Sequence, residues 1–114
     1  MKLDRNINPD KRGKYAILLL RDLEKFRSPD YPHSNRAAAI GAALRVLEDA
    51  GVIDWGITGT DKEFFLIRLK DKYAEAGLRN YARAAAADDE EYANEVFEMA
   101  NRAGPNSPFC KRPD

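Results

Sequence analysis

VIDWGITGTDKEFFLIRLK, residues 52–70, is the stretch whose reading decides the fold. Beta-branched and aromatic side chains dominate it, and Gly56 and Gly59 punctuate its middle. That composition reads as a β-hairpin, with strands near 52–57 and 62–69 joined by a turn-rich centre. In the second strand Phe64, Leu66 and Arg68 fall on one face, and Phe65, Ile67 and Leu69 on the other. A strand apolar on both faces is ordinarily covered on both, so helices are expected to pack on at least one of them.

Helical patterns flank this stretch. In NPDKRGKYAILLLRDLEKFR (8–27), Asn8 reads as a cap and Pro9 as a first helical residue. Ala16, Leu19, Leu20, Leu23 and Phe26 then recur three or four apart, which predicts a helix over 14–27. Tyr15, Ile17 and Leu19 would also suit a strand, and Gly13 weakens any helix beginning before it. Pro29 and Pro32 make SPDYPHS (28–34) a stiff connector. NRAAAIGAALRVLEDAG (35–51) reads as a second helix, capped by Ser34 or Asn35, with Ile40, Leu44 and Leu47 on one face and Gly51 as its left-handed stop.

Beyond the hairpin, Asp71 is expected to cap a third helix, KYAEAGLRNYARAAAA (72–87), with Ala74, Leu78, Tyr81, Ala82 and Ala85 on its apolar stripe. Asp88 and Glu91 read as a capping box for a fourth helix, whose apolar face is Tyr92, Val96, Met99, Ala100 and Ala103. RAGP (102–105) ends it. Phe109 in the extended tail 105–114 is expected to fold back and staple that helix. The resulting expectation is one α+β domain, 1–114, mainly helical, with about four helices packed on a β-hairpin or small sheet.

Charge and composition narrow the function. The 114 residues hold 19 basic and 19 acidic side chains, so no global field steers the chain to nucleic acid or membrane. The balance is local: residues 1–36 carry nine Lys/Arg against five Asp/Glu, whereas DDEEYANEVFE (88–98) has six acids and no base. One cysteine, Cys110, excludes an internal disulfide and fits a reducing cytoplasm. Cys110 and the lone His33 do not make a metal site, and no cofactor is expected. No apolar run approaches the roughly 18 residues of a membrane span, and MKLDRNINPDKRG lacks a signal-peptide core. No GxSxG, P-loop, dinucleotide turn or HExxH occurs, so the chain reads as a non-enzyme.

Two binding readings follow. The first is a winged-helix-like DNA regulator using the hairpin as its wing. Against it stand Glu48 and Asp49 on the candidate recognition helix, and Asp54, Asp61 and Glu63 against one Lys62 on the wing. The second is basic–aromatic: KRGKY (11–15), IRLKDKY (67–73) and CKRPD (110–114) each set cations beside a ring or apolar anchor. Arg offers a planar fork to phosphate, Lys a point charge, and Tyr a stacking face. The candidate ligand contacts are therefore Arg12, Lys14, Tyr15, Arg68, Lys70, Lys72, Lys111 and Arg112. An exposed Phe64 or Phe109 would favour a homo-oligomer.

The segments NPDKRGKYAILLLRDL, LEDAGVIDWGITGTDKEFFLIRLKDKYA and RAGPNSPFCKRPD together resemble the small accessory proteins encoded in bacteriophage and prophage genomes. The resemblance spans nearly the whole chain and carries no catalytic residues. It implies a protein acting inside an infected bacterial cell, where such proteins often counter host defences. They do so by binding a defence protein or by sequestering an immune signalling nucleotide without cleaving it. In the protein-blocking version, the acidic fourth helix would mimic nucleic-acid charge.

Overall fold

A computed structural model describes residues 3, 9–24 and 34–113. Asn8, the connector 28–33 with His33, and the end of the first expected helix at 25–27 lie outside the described residues. Among the described residues four α-helices run in chain order: α1 (Leu20–Glu24), α2 (Ser34–Asp49), α3 (Ala74–Ala85) and α4 (Glu90–Ala100), followed by a 3-10 turn at Gly104–Asn106. Internal contacts divide the chain into two compact units, Met1–Ala16 with Phe65–Asp114, and Ile17–Phe64.

The first unit is built on α3 and α4. α4 begins where the Asp89 carboxylate accepts the Tyr92 N–H at 2.9 Å, so the cap falls one residue after the expected Asp88. Asp71 does not cap α3 directly. Its carboxylate accepts the Tyr73 N–H at 2.7 Å and its carbonyl accepts the Ala74 N–H at 2.9 Å, which sets the turn that feeds the helix. The interface is made of small residues: Ala74, Ala82, Ala93, Val96, Ala100 and Ala103 are buried. Alanine permits close approach of two helix backbones and costs little conformational entropy on folding. Of the expected stripes, Ala74, Ala82, Val96, Ala100 and Ala103 are inside, while Tyr81 is exposed and Ala93 is an addition.

The chain after α4 closes against the entry to α3. Gly104, at φ +57°, donates its N–H to the Leu69 carbonyl at 2.8 Å. The Lys111 N–H donates to the Lys70 carbonyl at 3.0 Å, and the Lys72 N–H to the Lys111 carbonyl at 2.9 Å, a parallel bridge between Asp71 and Lys111. This main-chain clip holds the tail. Phe109, 74% exposed, does not act as the expected staple. Ser107 is the tail residue that is buried.

The second unit contains α1 and α2. Helix α2 ends as its sequence implies: Gly51 sits at φ +73°, the Gly51 N–H reaches the Glu48 carbonyl, and the Val52 N–H reaches the Leu47 carbonyl. Leu44 is buried, Ile40 half-buried and Leu47 exposed. Helix α1 begins at Leu20, six residues later than the 14–27 expectation, whose end lies outside the described residues. Pro9 lies in a turn, Arg12 N–H is taken by the Asp10 carboxylate at 2.9 Å, and residues 11–19 form no helix. Leu19 and Leu20, at its start, are half-exposed.

The α+β expectation is overturned at 52–69. Among the described residues there is no strand or sheet, and the chain is mainly helical. The backbone of the supposed hairpin bonds to itself in consecutive turns. The Thr60 N–H reaches the Ile57 carbonyl at 3.2 Å and the Glu63 N–H the Thr60 carbonyl at 3.1 Å. The Thr60 hydroxyl donates to the Ile57 carbonyl, and the Glu63 carboxylate accepts the Gly59 N–H. Gly56, at φ +58°, has the Phe64 ring where a Cβ would stand. The chain therefore doubles back through local turns without a cross-strand ladder. With no hairpin, a winged helix has no wing.

Candidate functional site

Helix α3 places residues three and four apart on one face, and its outward face is the polar one. Lys72, Glu75, Ala76, Arg79, Asn80 and Arg83 follow that spacing and form one wall of a groove of about 420 Å³, with Pro105 from the 3-10 turn on the other side. Three cations against one carboxylate leave a net charge of +2 in the lining.

Arg79 is held in place. Its Nε donates to Glu75 Oε1 at 3.1 Å, one helical turn back, and its Nη2 to Asn101 Oδ1 at 3.0 Å. The other Glu75 oxygen accepts from Asn106 Nδ2 at 2.9 Å, which ties the 3-10 turn to the same carboxylate. Asn106 Nδ2 also reaches the Ala100 carbonyl. Arg83 Nη1 donates to Asn80 Oδ1 at 2.8 Å. A guanidinium has five N–H donors, so both arginines keep several for an incoming anion after these bonds. Lys72 Nζ lies over the ring of Tyr73, 5.8 Å from its centroid.

Of the eight residues named from sequence, Lys72 lines the groove. Lys70 and Lys111 meet Lys72 through the main-chain clip, so IRLKDKY and CKRPD converge at their backbones. Arg68 is exposed just before that clip, and Arg112 is exposed just after it. Arg12, Lys14 and Tyr15 lie on the irregular segment before α1. There Lys14 Nζ stands 5.6 Å from the centroid of the Tyr15 ring, which is 76% exposed. None of these three lines the groove. Sequence reasoning missed Arg79 and Arg83. The available signal was the Lys72–Glu75–Arg79–Arg83 spacing, which stacks cations along one side of a helix.

Beyond the groove, Tyr81 and Tyr92 join α3 to α4 by their hydroxyls at 3.0 Å, with the rings edge-to-face at 6.2 Å. That bond, followed by burial, pushes Tyr92 up to about 12. Among the described residues, no three His, Cys, Asp or Glu gather as metal ligands, and no helix is long and apolar enough to cross a membrane. Compared with known proteins, the chain matches no family model, no curated protein and no solved structure.

Proposed function

We propose that the protein is a non-enzymatic binding protein that sequesters a phosphate-bearing, nucleotide-type ligand in the α3 groove. In the setting that the phage resemblance implies, it acts in the cytoplasm of a bacterial host and counters a defence that signals through such a ligand. The observation that carries the reading is the row Lys72, Arg79 and Arg83 facing the groove, with Arg79 oriented by Glu75 and Asn101. Orientation before binding lowers the entropy cost of fixing a long side chain, and planar forks suit phosphate oxygens. The lining offers fixed cations and amides, and its one carboxylate is engaged on both oxygens, an arrangement suited to holding an anion rather than transforming it.

Thermal unfolding of the purified chain, followed by circular dichroism, tests this against cyclic and linear nucleotides and inorganic pyrophosphate, with duplex DNA alongside. A ligand at a hundredfold excess over its Kd should stabilise by about 2.7 kcal/mol. Arg79→Ala and Arg83→Ala should each abolish most of that gain. Loss of the half-buried Glu75–Arg79 helix pair itself costs only about 0.3–0.5 kcal/mol, so the variants should fold. A flat response to every anion would reject the reading.

The protein-blocking alternative draws on α4, where Glu90, Glu91 and Glu98 are exposed. It predicts no nucleotide response and co-purification with a basic host protein.

A further inference from the structure

Lys111 sits between Lys70 and Lys72 in the main-chain clip. Its N–H donates to the Lys70 carbonyl and its own carbonyl accepts the Lys72 N–H, which makes Asp71 and Lys111 the bridged pair. Bridged residues project to one side of the extended chain and their neighbours to the other. Asp71 and Lys111 therefore share one side, where their charges offset each other. Lys70, Lys72 and Arg112 share the opposite side. Lys72 also lines the α3 groove, so Lys70 and Arg112 continue the groove's cations past its end.

The row becomes Arg112, Lys70, Lys72, Arg79 and Arg83, all within the first unit. Five cations stand against one carboxylate, Glu75, a net +4, and that carboxylate is engaged by Arg79 and Asn106. Lys72, Arg83 and Arg112 are exposed, and Lys70 and Arg79 are half-buried. Arg83 lies nine residues after Ala74, the first residue of α3, about 13–14 Å along the axis. The clip cations precede that start. Phosphates that share a bridging oxygen, as in a diphosphate, stand too close together to meet both ends of such a row. Phosphates separated by sugars do not. At about 3.4 Å per nucleotide of a stacked strand, the α3 portion alone takes about four. Beside Lys72 the Tyr73 ring is 61% exposed and offers a base a stacking face. A cation track with an aromatic face beside it is how proteins hold single strands without reading their sequence.

We propose that the α3 groove continues across the clip and binds a short single-stranded oligonucleotide, its phosphates on the row from Arg112 to Arg83. This rests on the nucleotide reading of the groove and extends it: the ligand is a phosphodiester strand of about four nucleotides or more.

Fluorescence anisotropy of the full chain with labelled oligothymidylates of increasing length tests the extension, with thymidine monophosphate as a competitor. Affinity should climb by about tenfold or more between one nucleotide and about four. Lys70→Ala and Arg112→Ala should each make the slope of log affinity against log salt shallower by about 0.7, the share of one phosphate on a single strand. Arg45→Ala, at an exposed position on α2, removes the same charge and should leave that slope unchanged. Circular dichroism should report one fold in all three variants. If about four nucleotides bind no better than one, or if the Lys70 and Arg112 variants keep the full slope, the extension is overturned while the groove reading stands. Binding of neither the mononucleotide nor the strands overturns both. An equal loss in Arg45→Ala, tighter binding of duplex DNA, or preference for phosphatidylserine vesicles over oligothymidylate would each reject the single strand as the occupant.

Discussion

Gly104 shows how much one residue decides in this chain. It adopts φ +57°, and a Cβ built there would stand 3.1 Å from both Glu75 Cβ and the Lys72 carbonyl oxygen. The left-handed conformation alone costs an L-residue about 1–2 kcal/mol. Gly104→Ala is therefore expected to destabilise the first unit by about that amount or more, read from the urea midpoint at constant m-value. Tyr92 carries a second residue-scale prediction. In the unfolded chain a tyrosine loses its proton near the ordinary value of about 10, whereas Tyr92 in the fold is pushed up to about 12 by the Tyr81 hydroxyl. Between those values the unfolded state binds fewer protons than the folded one, so stability falls as pH rises. The contribution should be fully present below pH 10 and lost as pH passes through about 12. Tyr81→Phe should flatten that part of the profile and lower the tyrosinate titration of Tyr92. Equal pH profiles in the two proteins would show that the hydroxyl pair does not couple to folding.

At the scale of elements, the α3–α4 pair rests on its caps and its alanines. Asp89→Ala removes the acceptor of the Tyr92 N–H and should cost about 1 kcal/mol, measured by thermal or urea unfolding. A loss near zero would mean that solvent satisfies that N–H equally well. These two helices were legible in the sequence because their signals agree: alanine-rich propensity, three-four periodicity, an acidic first turn and a glycine stop all favour one state. The stop of α2 at Gly51 was legible for the same reason. Residues 52–69 were not, because β-branched and aromatic content marks a segment that would suit a sheet without supplying the strand it would pair with. Asp54, Thr60 and Glu63 instead tie the main chain into local turns. The candidate site was half legible. Lys72 stood out beside Tyr73, but Arg79 and Arg83 looked like ordinary solvated helix charges until the 3-10 turn supplied the facing wall.

For the whole molecule, the consequence lies in what the core is made of. Among the described residues the buried apolar ones are Leu44, Val96 and five alanines, and no large side chain is fully buried. Aliphatic and aromatic groups such as Tyr15, Val52, Ile57 and Phe65 are largely in water in the folded state. Unfolding therefore uncovers little new apolar surface. Because the heat-capacity change of unfolding follows that surface, the monomer should fall below the usual about 12–15 cal/mol/K per residue. Calorimetry on dilute protein checks this, and an ordinary value would mean that the exposed side chains are covered in solution. A small heat-capacity change also flattens the dependence of stability on temperature. Cold would then weaken this fold less than it weakens one of equal length built on leucine and phenylalanine.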